Sequence, residues 1–220
     1  MFRLTIIYDN NAGQNFTGNW GFAALIETET ETLLFDTGWD GLLLLKHMKL
    51  LNIDPARINK VIISHQHWDH IGGLPELLNS NPELTVYVPA SFSGNLKKEI
   101  AKRANLVEVK ESLEISRSIR STGELGDKVK EQALLLDTEN GSYVLVGCAH
   151  PGLTAILDAA SLYGKVRGIL GGFHDSEEFE SLRGLELIAA GHCTVHKEKI
   201  KELFPAEFIK IEAGFSLNLQ

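Results

Sequence analysis

The order of apolar segments along the chain predicts an α/β fold in which two mixed β-sheets are covered by outer helices. Strand-like segments come first and then alternate with helical ones, in two roughly equal halves. A histidine-rich segment directly follows the apolar run Val61-Ile62-Ile63, which places chemistry at a strand end. No Pro/Gly/Ser-rich linker interrupts the chain, so residues 1–220 are expected to form a single domain.

Residues 2–8 alternate like a first strand, and Asp9-Asn10-Asn11-Ala12-Gly13 is turn chemistry. Phe22 to Thr28 and Thr32 to Phe35 read as two strands around a charged hairpin. Leu42 to Leu51 has helical apolar spacing, and Asp54-Pro55 is a helix start. Lys60 to Ile63 is the strand feeding the histidines. Leu74 to Asn79 is a short helix, Leu84 to Val88 a strand, and Gly94 to Ala104 a helix. Strands are expected at Leu106 to Val109, Gln132 to Asp137 and Ser142 to Val146. A helix follows at Leu153 to Tyr163, a strand at Val166 to Leu170, a short helix at Glu177 to Leu182 and a strand at Leu185 to Ala190. Lys197 to Phe204 is helical, and strands at Phe208 to Ile211 and Phe215 to Leu219 close the chain.

Apolar residues make up 44% and charged residues 23%, as in globular proteins, and no apolar stretch is long enough to span a membrane. Phe2 to Ile7 lacks the long apolar core of a signal peptide, so a cytoplasmic location is expected. The net charge of −8 and the absence of a dense basic stretch argue against a nucleic-acid partner and for a small-molecule substrate. Oligomeric state is left open. The two cysteines, Cys148 and Cys193, are expected to be reduced.

Three histidines and one carboxylate fall within the six residues His65-Gln66-His67-Trp68-Asp69-His70, and Gly72-Gly73 closes the segment with a tight turn. A charge beside a strand end is costly without a strong partner, and a metal ion provides one for Asp69. Imidazole nitrogen with carboxylate oxygen suits zinc, and also iron or manganese. Four ligands cannot close a two-metal site. Three further histidines, each after an apolar run and beside glycine, supply the rest: His150, His174 and His192. His47 and His196 lie in helical, polar surroundings and are read as non-ligands; His47→Ala is expected to be nearly silent.

The His-x-His-x-Asp-His pattern at His65, His67, Asp69 and His70, with the upstream turn Asp36-Thr37-Gly38, resembles the metallo-β-lactamase fold superfamily. That resemblance implies a four-layer αββα fold, with Asp36 orienting the metal loop from behind. It further implies that His65 and His67 with a downstream histidine, His150, hold a first metal, and that Asp69 and His70 with His192 hold a second. The usual bridging carboxylate is not evident. Cys148, His174 or Asp175 can stand there, or nothing. Cys148 and His150 are two residues apart and on extended backbone would point the same way; a small buried hydrophobe is the plainer role for Cys148.

A closer subgroup is also similar: the 7,8-dihydropterin-6-methyl-4-(β-D-ribofuranosyl)-aminobenzene-5′-phosphate synthase-like hydrolases. The shared segments are Ile7-Tyr8-Asp9-Asn10, Ser121-Thr122-Gly123-Glu124, Gly147-Cys148-Ala149-His150, Gly171-Gly172-Phe173-His174 and Gly191-His192-Cys193-Thr194. Residues 74–121 are short for that subgroup.

The resemblance implies a dinuclear zinc hydrolase, or related transferase, in which a metal-bound hydroxide attacks a phosphorylated or heterocyclic small molecule. Asp69 would bind metal and orient the nucleophile, and His174, if not a ligand, would donate a proton to the leaving group or bind a substrate phosphate. Glu124 is a weaker candidate for the cleft. A nuclease is disfavoured by charge, a lactamase by the lack of an export signal, and a thioesterase or lactonase stays open. The alternative from another class is an iron-binding redox or non-catalytic metal-binding module. Relatives of that kind carry a Glu in the first motif and an attached flavin domain, and neither is present here.

Overall fold

The computed structural model describes residues 1–220. The first sheet contains β1 (Phe2–Tyr8), β2 (Ala23–Glu27), β3 (Thr32–Phe35), β4 (Lys60–Ile62), β5 (Thr85–Pro89), β6 (Asn105–Val109) and the final strand β14 (Ser216–Leu219), in the order β14-β1-β2-β3-β4-β5-β6. Pairing is antiparallel from β14 to β3 and parallel from β3 to β6. The second sheet repeats the scheme with β7 (Leu113–Ser116), β8 (Ile119–Ser121), β9 (Leu134–Thr138), β10 (Gly141–Val146), β11 (Val166–Gly172), β12 (Leu187–Gly191) and β13 (Phe208–Lys210). It is antiparallel from β7 to β10 and parallel from β10 to β13.

Period-two patterning with both faces apolar explains why the sheets stack. On β10, Tyr143 and Leu145 face the first sheet while Val144 and Val146 face helices, and on β9 Leu134 and Leu136 alternate with Leu135 in the same way. The inner faces meet in one cluster that includes Leu4, Ile6, Ile26 and Phe35 from the first sheet and Leu134, Leu145 and Leu170 from the second. Helices α1 (Gly41–Leu50), α3 (Leu74–Ser80) and α4 (Gly94–Ala101) cover the outside of the first sheet. Helices α5 (Leu153–Ser161) and α6 (Lys197–Leu203) cover the second. The result is the expected four-layer αββα arrangement. One further turn of helix, α2 (Trp68–Ile71), carries part of the histidine segment.

Several local expectations are corrected. The hairpin β7–β8 is absent from the sequence reading because its strands are three to four residues long and carry Glu114 and Arg120, too short for alternation to show. The segment after Asp54 is a single 3-10 turn, Pro55–Arg57, and that at residues 177–182 shrinks to a 3-10 turn, Phe179–Leu182. Helix α4 stops at Ala101, three residues early. His47 is helical but not in polar surroundings. It is fully buried, with Nδ1 2.8 Å from the Ile7 carbonyl and Nε2 accepting from the Thr17 N–H at 3.1 Å.

Candidate metal centre

The carboxyl ends of the parallel strands β3, β4, β10, β11 and β12 converge on one edge of the sandwich, where α/β sheets form ligand crevices. The first-half residues hang on Asp36, which sits in left-handed conformation (φ 59°) just after β3. Asp36 Oδ1 accepts the Ser64 N–H at 2.7 Å, and Oδ2 accepts the Ser64 hydroxyl at 2.7 Å and faces His70 Nδ1 at 2.7 Å. His70 is thereby oriented with Nε2 outward, 3.1 Å from Cys148 Sγ and 3.6 Å from Asp69 Oδ2. Ser64 Oγ lies 2.9 Å from His65 Nδ1, which leaves His65 Nε2 facing His67 Nδ1 at 3.0 Å.

The second-half residues are held by carboxylates remote in sequence. Glu131, fully buried, takes the N–H groups of Gly147, Cys148 and Ala149 on Oε1 at 2.9–3.1 Å and that of His150 on Oε2 at 2.9 Å. The backbone is not extended there: Ala149 has φ 56°, so Cys148 and His150 are turned by this anchored loop, and the reasoning from extended backbone does not apply. Gly147 is required at this turn, because a Cβ would stand 2.2 Å from Ser64 Oγ. His192, also left-handed (φ 43°), donates its N–H to Asp9 Oδ2 at 2.7 Å. The Asn10 side chain clasps it, with Oδ1 3.0 Å from His192 Nδ1 and Nδ2 donating to the His192 carbonyl at 3.1 Å.

These anchors bring the two halves together. Ligand-capable atoms of Asp69, His70, Cys148 and His192 form one group, and those of His65, Cys148 and His150 a second, with all atoms of each group within 4.8 Å of one another. Cys148 belongs to both. His67 adjoins the second group through His65, and its ring lies 4.8 Å from that of His150. A tetrahedral centre with bonds of ~2.0–2.3 Å has donor-to-donor edges of about 3.3–3.8 Å, and the 3.0–3.6 Å separations seen here lie at or just below that span. Buried Nε2 atoms of both His150 and His192 have no hydrogen-bond partner, although His192 Nε2 lies 3.4 Å from Asp69 Oδ2. Such orphaned atoms are costly unless a ligand satisfies them. The donor set fits a divalent ion.

Electrostatics without an ion set the two groups apart. Burial, reinforced by His70 and His150, holds His65 well below the usual imidazole range. Burial together with His67 and His174 lowers His150 to about 4. Both are therefore neutral donors near pH 7. Burial opposes ionisation of Asp69, but His192 and His70 outweigh it and bring Asp69 down to about 2. Burial likewise works against a charged His192, yet the carboxylate of Asp69 and the neighbouring Cys193 raise it to about 9.

His174 sits apart from both groups. Its side chain is half exposed, with Nδ1 2.8 Å from Asp175 Oδ1 and its ring 5.1 Å from that of His150. With Lys128 and Glu178 it lines an open cavity beside His150. Asp175 points its carboxylate at His174 and is in neither donor group. Glu124 is a loop tie, accepting the Ser91 N–H at 2.6 Å. Glu131 was not foreseen: one carboxylate ahead of an apolar strand has no pattern to mark it. The role of Asp9 is also invisible as a turn residue, and only the recurrence of Asp9-Asn10 in the resembling subgroup pointed to it.

The sequence profile of the metallo-beta-lactamase superfamily matches residues 20–157, well over half of the chain, and the chain belongs to that superfamily. Among individual relatives, it is 27% identical to the 7,8-dihydropterin-6-methyl-4-(beta-D-ribofuranosyl)-aminobenzene-5′-phosphate synthase of Methanocaldococcus jannaschii, over 96% of this chain and 95% of that one. The alignment spans 278 positions, more than the length of this chain, so the archaeal relative carries residues that this chain lacks. Ribonuclease Z of Bacillus mycoides is 37% identical over 97 residues, 41% of this chain and 30% of that protein. In structure, Tm1679, a metal-dependent hydrolase of the beta-lactamase superfamily, superposes with a TM-score of 0.80 over 100% of this chain and 99% of its own, at 24% identity.

Proposed function

We propose that this chain is a dinuclear metal-dependent hydrolase, or related transferase, acting on a small phosphorylated or heterocyclic molecule, with no nucleic-acid or membrane partner and in the cytoplasm. The observation that carries the reading is the pair of buried, unpartnered Nε2 atoms of His150 and His192, aimed among the first-half donors. In this reading His65, His67 and His150 would hold one ion and Asp69, His70 and His192 the other, with Cys148 within reach of both groups. Zinc is the favoured ion, with manganese or iron as other occupants. Two such ions supply Lewis acidity and an acidified water at neutral pH.

The chain's own residues do the rest. Asp36 and Asn10 fix the ring orientations of His70 and His192, and Glu131 fixes the loop bearing Cys148 and His150. Asp69 combines ligation with orientation of the attacking group. His174, with Nδ1 engaged by Asp175, presents Nε2 to the cavity as proton donor to a leaving group. Lys128 in the same cavity offers a positive charge to a phosphate. On the other flank the exposed ring of Trp20, 5.7 Å from that of His192, offers a stacking face to a flat heterocycle. The archaeal relative's name joins both chemistries, a pterin ring and a 5′-phosphate.

The reading is tested with bis(p-nitrophenyl) phosphate as a generic phosphodiester and the protein loaded with zinc or manganese. Turnover of this activated ester that largely survives His174→Ala, with a fall of about 10²–10⁴-fold on an alkyl phosphodiester at unchanged metal content, is expected. Two bound ions with no turnover on this or on phosphomonoester, lactone and thioester probes would overturn hydrolysis.

A further inference from the structure

Two thiols meet at this centre where strand spacing alone would hold them apart. Cys148 follows β10 and Cys193 follows β12, with β11 between them. Alternate strands of a sheet lie roughly 9–10 Å apart, yet the two Sγ atoms are 3.3 Å from each other. Gly172, at the end of the intervening strand, is what permits this. A Cβ there would stand 2.7 Å from Cys193 Sγ and 2.5 Å from the Gly147 carbonyl oxygen. A disulfide bond is about 2.05 Å long, so closure needs a shift of only about an ångström. The pair is also asymmetric: Cys148 is buried at 3% exposure, whereas Cys193 is partly open. Cys148, moreover, is the one residue shared by both donor groups.

We propose that Cys148 and Cys193 form a peroxide-oxidisable dithiol, and that its closure to a disulfide withdraws Cys148 from the metal centre. The second clause rests on the metal reading above; the first stands on the sulfur geometry. The more accessible Cys193 sulfur attacks one oxygen of the peroxide, forming S–O as O–O breaks, and leaves a sulfenic acid and one water. Cys148 Sγ then attacks the Cys193 sulfur: S–S forms, S–O breaks, and the departing hydroxide takes the thiol proton as a second water. Two thiols lose two electrons in total, and one peroxide becomes two waters. A dithiol reductant reverses the change.

The test treats the zinc-loaded and the zinc-free protein with hydrogen peroxide. It reads intact mass, free thiols, the cross-linked peptide and zinc released to a chelating dye. The expected result is loss of two hydrogens in mass, joint disappearance of both thiols, a Cys148–Cys193 peptide, and zinc release that dithiothreitol reverses. Cys193→Ser is expected to keep its zinc and form no cross-link, and Gly172→Ala, which displaces Cys193, to cross-link at least tenfold more slowly. Stepwise oxygen addition at Cys193 with Cys148 left free, in both preparations, overturns the dithiol. A disulfide that forms with zinc fully retained overturns the withdrawal. Failure to load zinc at all contradicts the proposed function instead, and the cross-link in the zinc-free protein still decides the sulfur pairing.

Discussion

The two halves of the chain contribute to one centre by opposite strategies. The first half delivers His65, His67, Asp69 and His70 from one continuous loop and a single helical turn, braced by Asp36 just after the neighbouring strand β3. The second half delivers Cys148 and His150 from the loop after β10 and His192 from the end of β12. These two segments have separate buried braces, Glu131 for the first and Asp9, from the opposite end of the chain, for the second. Both halves borrow geometry from buried acids, the contiguous motif from Asp36 alone and the dispersed donors from Glu131 and Asp9. The second half thus needs more separate parts of the fold in place before its donors meet.

The largest expected effect follows from that dependence. Glu131→Ala strands four backbone N–H groups that it now accepts. At about 1–3 kcal/mol for each unsatisfied buried donor, and with partial relaxation, a loss of roughly 3 kcal/mol or more is expected in urea unfolding. A loss below about 1 kcal/mol would break the contrast between the halves. The exposed His67 should behave differently. His67→Ala is expected to lose metal and activity while circular dichroism and unfolding stay near wild type, and retained stoichiometry there counts against its ligand role. Asp36→Ala, one step removed, should weaken metal affinity about 10–100-fold.

Most of the fold was legible because both faces of β9 and β10 alternate between apolar layers, and because Phe2, Leu4 and Ile6 of β1 line the inner one. The first-half donors were legible because they are adjacent. What stayed hidden was long-range. Nothing near Glu131 reveals that it will accept the N–H groups of residues 147–150, and nothing near Ala149 reveals the left-handed turn that breaks the extended backbone. The short hairpin β7–β8 offered too few residues for a pattern. His47 looked polar because its helix carries Lys46 and Lys49, while the ring itself packs inward against Ile7 and Phe16.

That last case yields a smaller prediction. His47→Ala should cost about 1–3 kcal/mol, because the Ile7 carbonyl and Thr17 N–H lose their partner, while metal content is unchanged. The effect of pH is smaller again. Burial lowers His47, His65 and His150, the last to about 4. Such groups bind protons more readily unfolded, so their stabilisation is present above about pH 6.5 and drains away as pH falls towards the folded values. His192, raised to about 9, acts in the other sense: its contribution is complete below about pH 6.5 and is lost as pH rises through 9. Metal-free protein should therefore melt at lower temperature at pH 5 than at pH 6.5, and an unchanged melting temperature would contradict the neutral assignment of the buried rings.

The central claim is that the two halves jointly hold two ions, and elemental analysis of protein purified without added metal tests it most directly. Two equivalents in the wild type, falling to one or fewer in both His67→Ala and His192→Ala, is the result this account predicts. One equivalent or none in the wild type, or two retained in either variant, would contradict it.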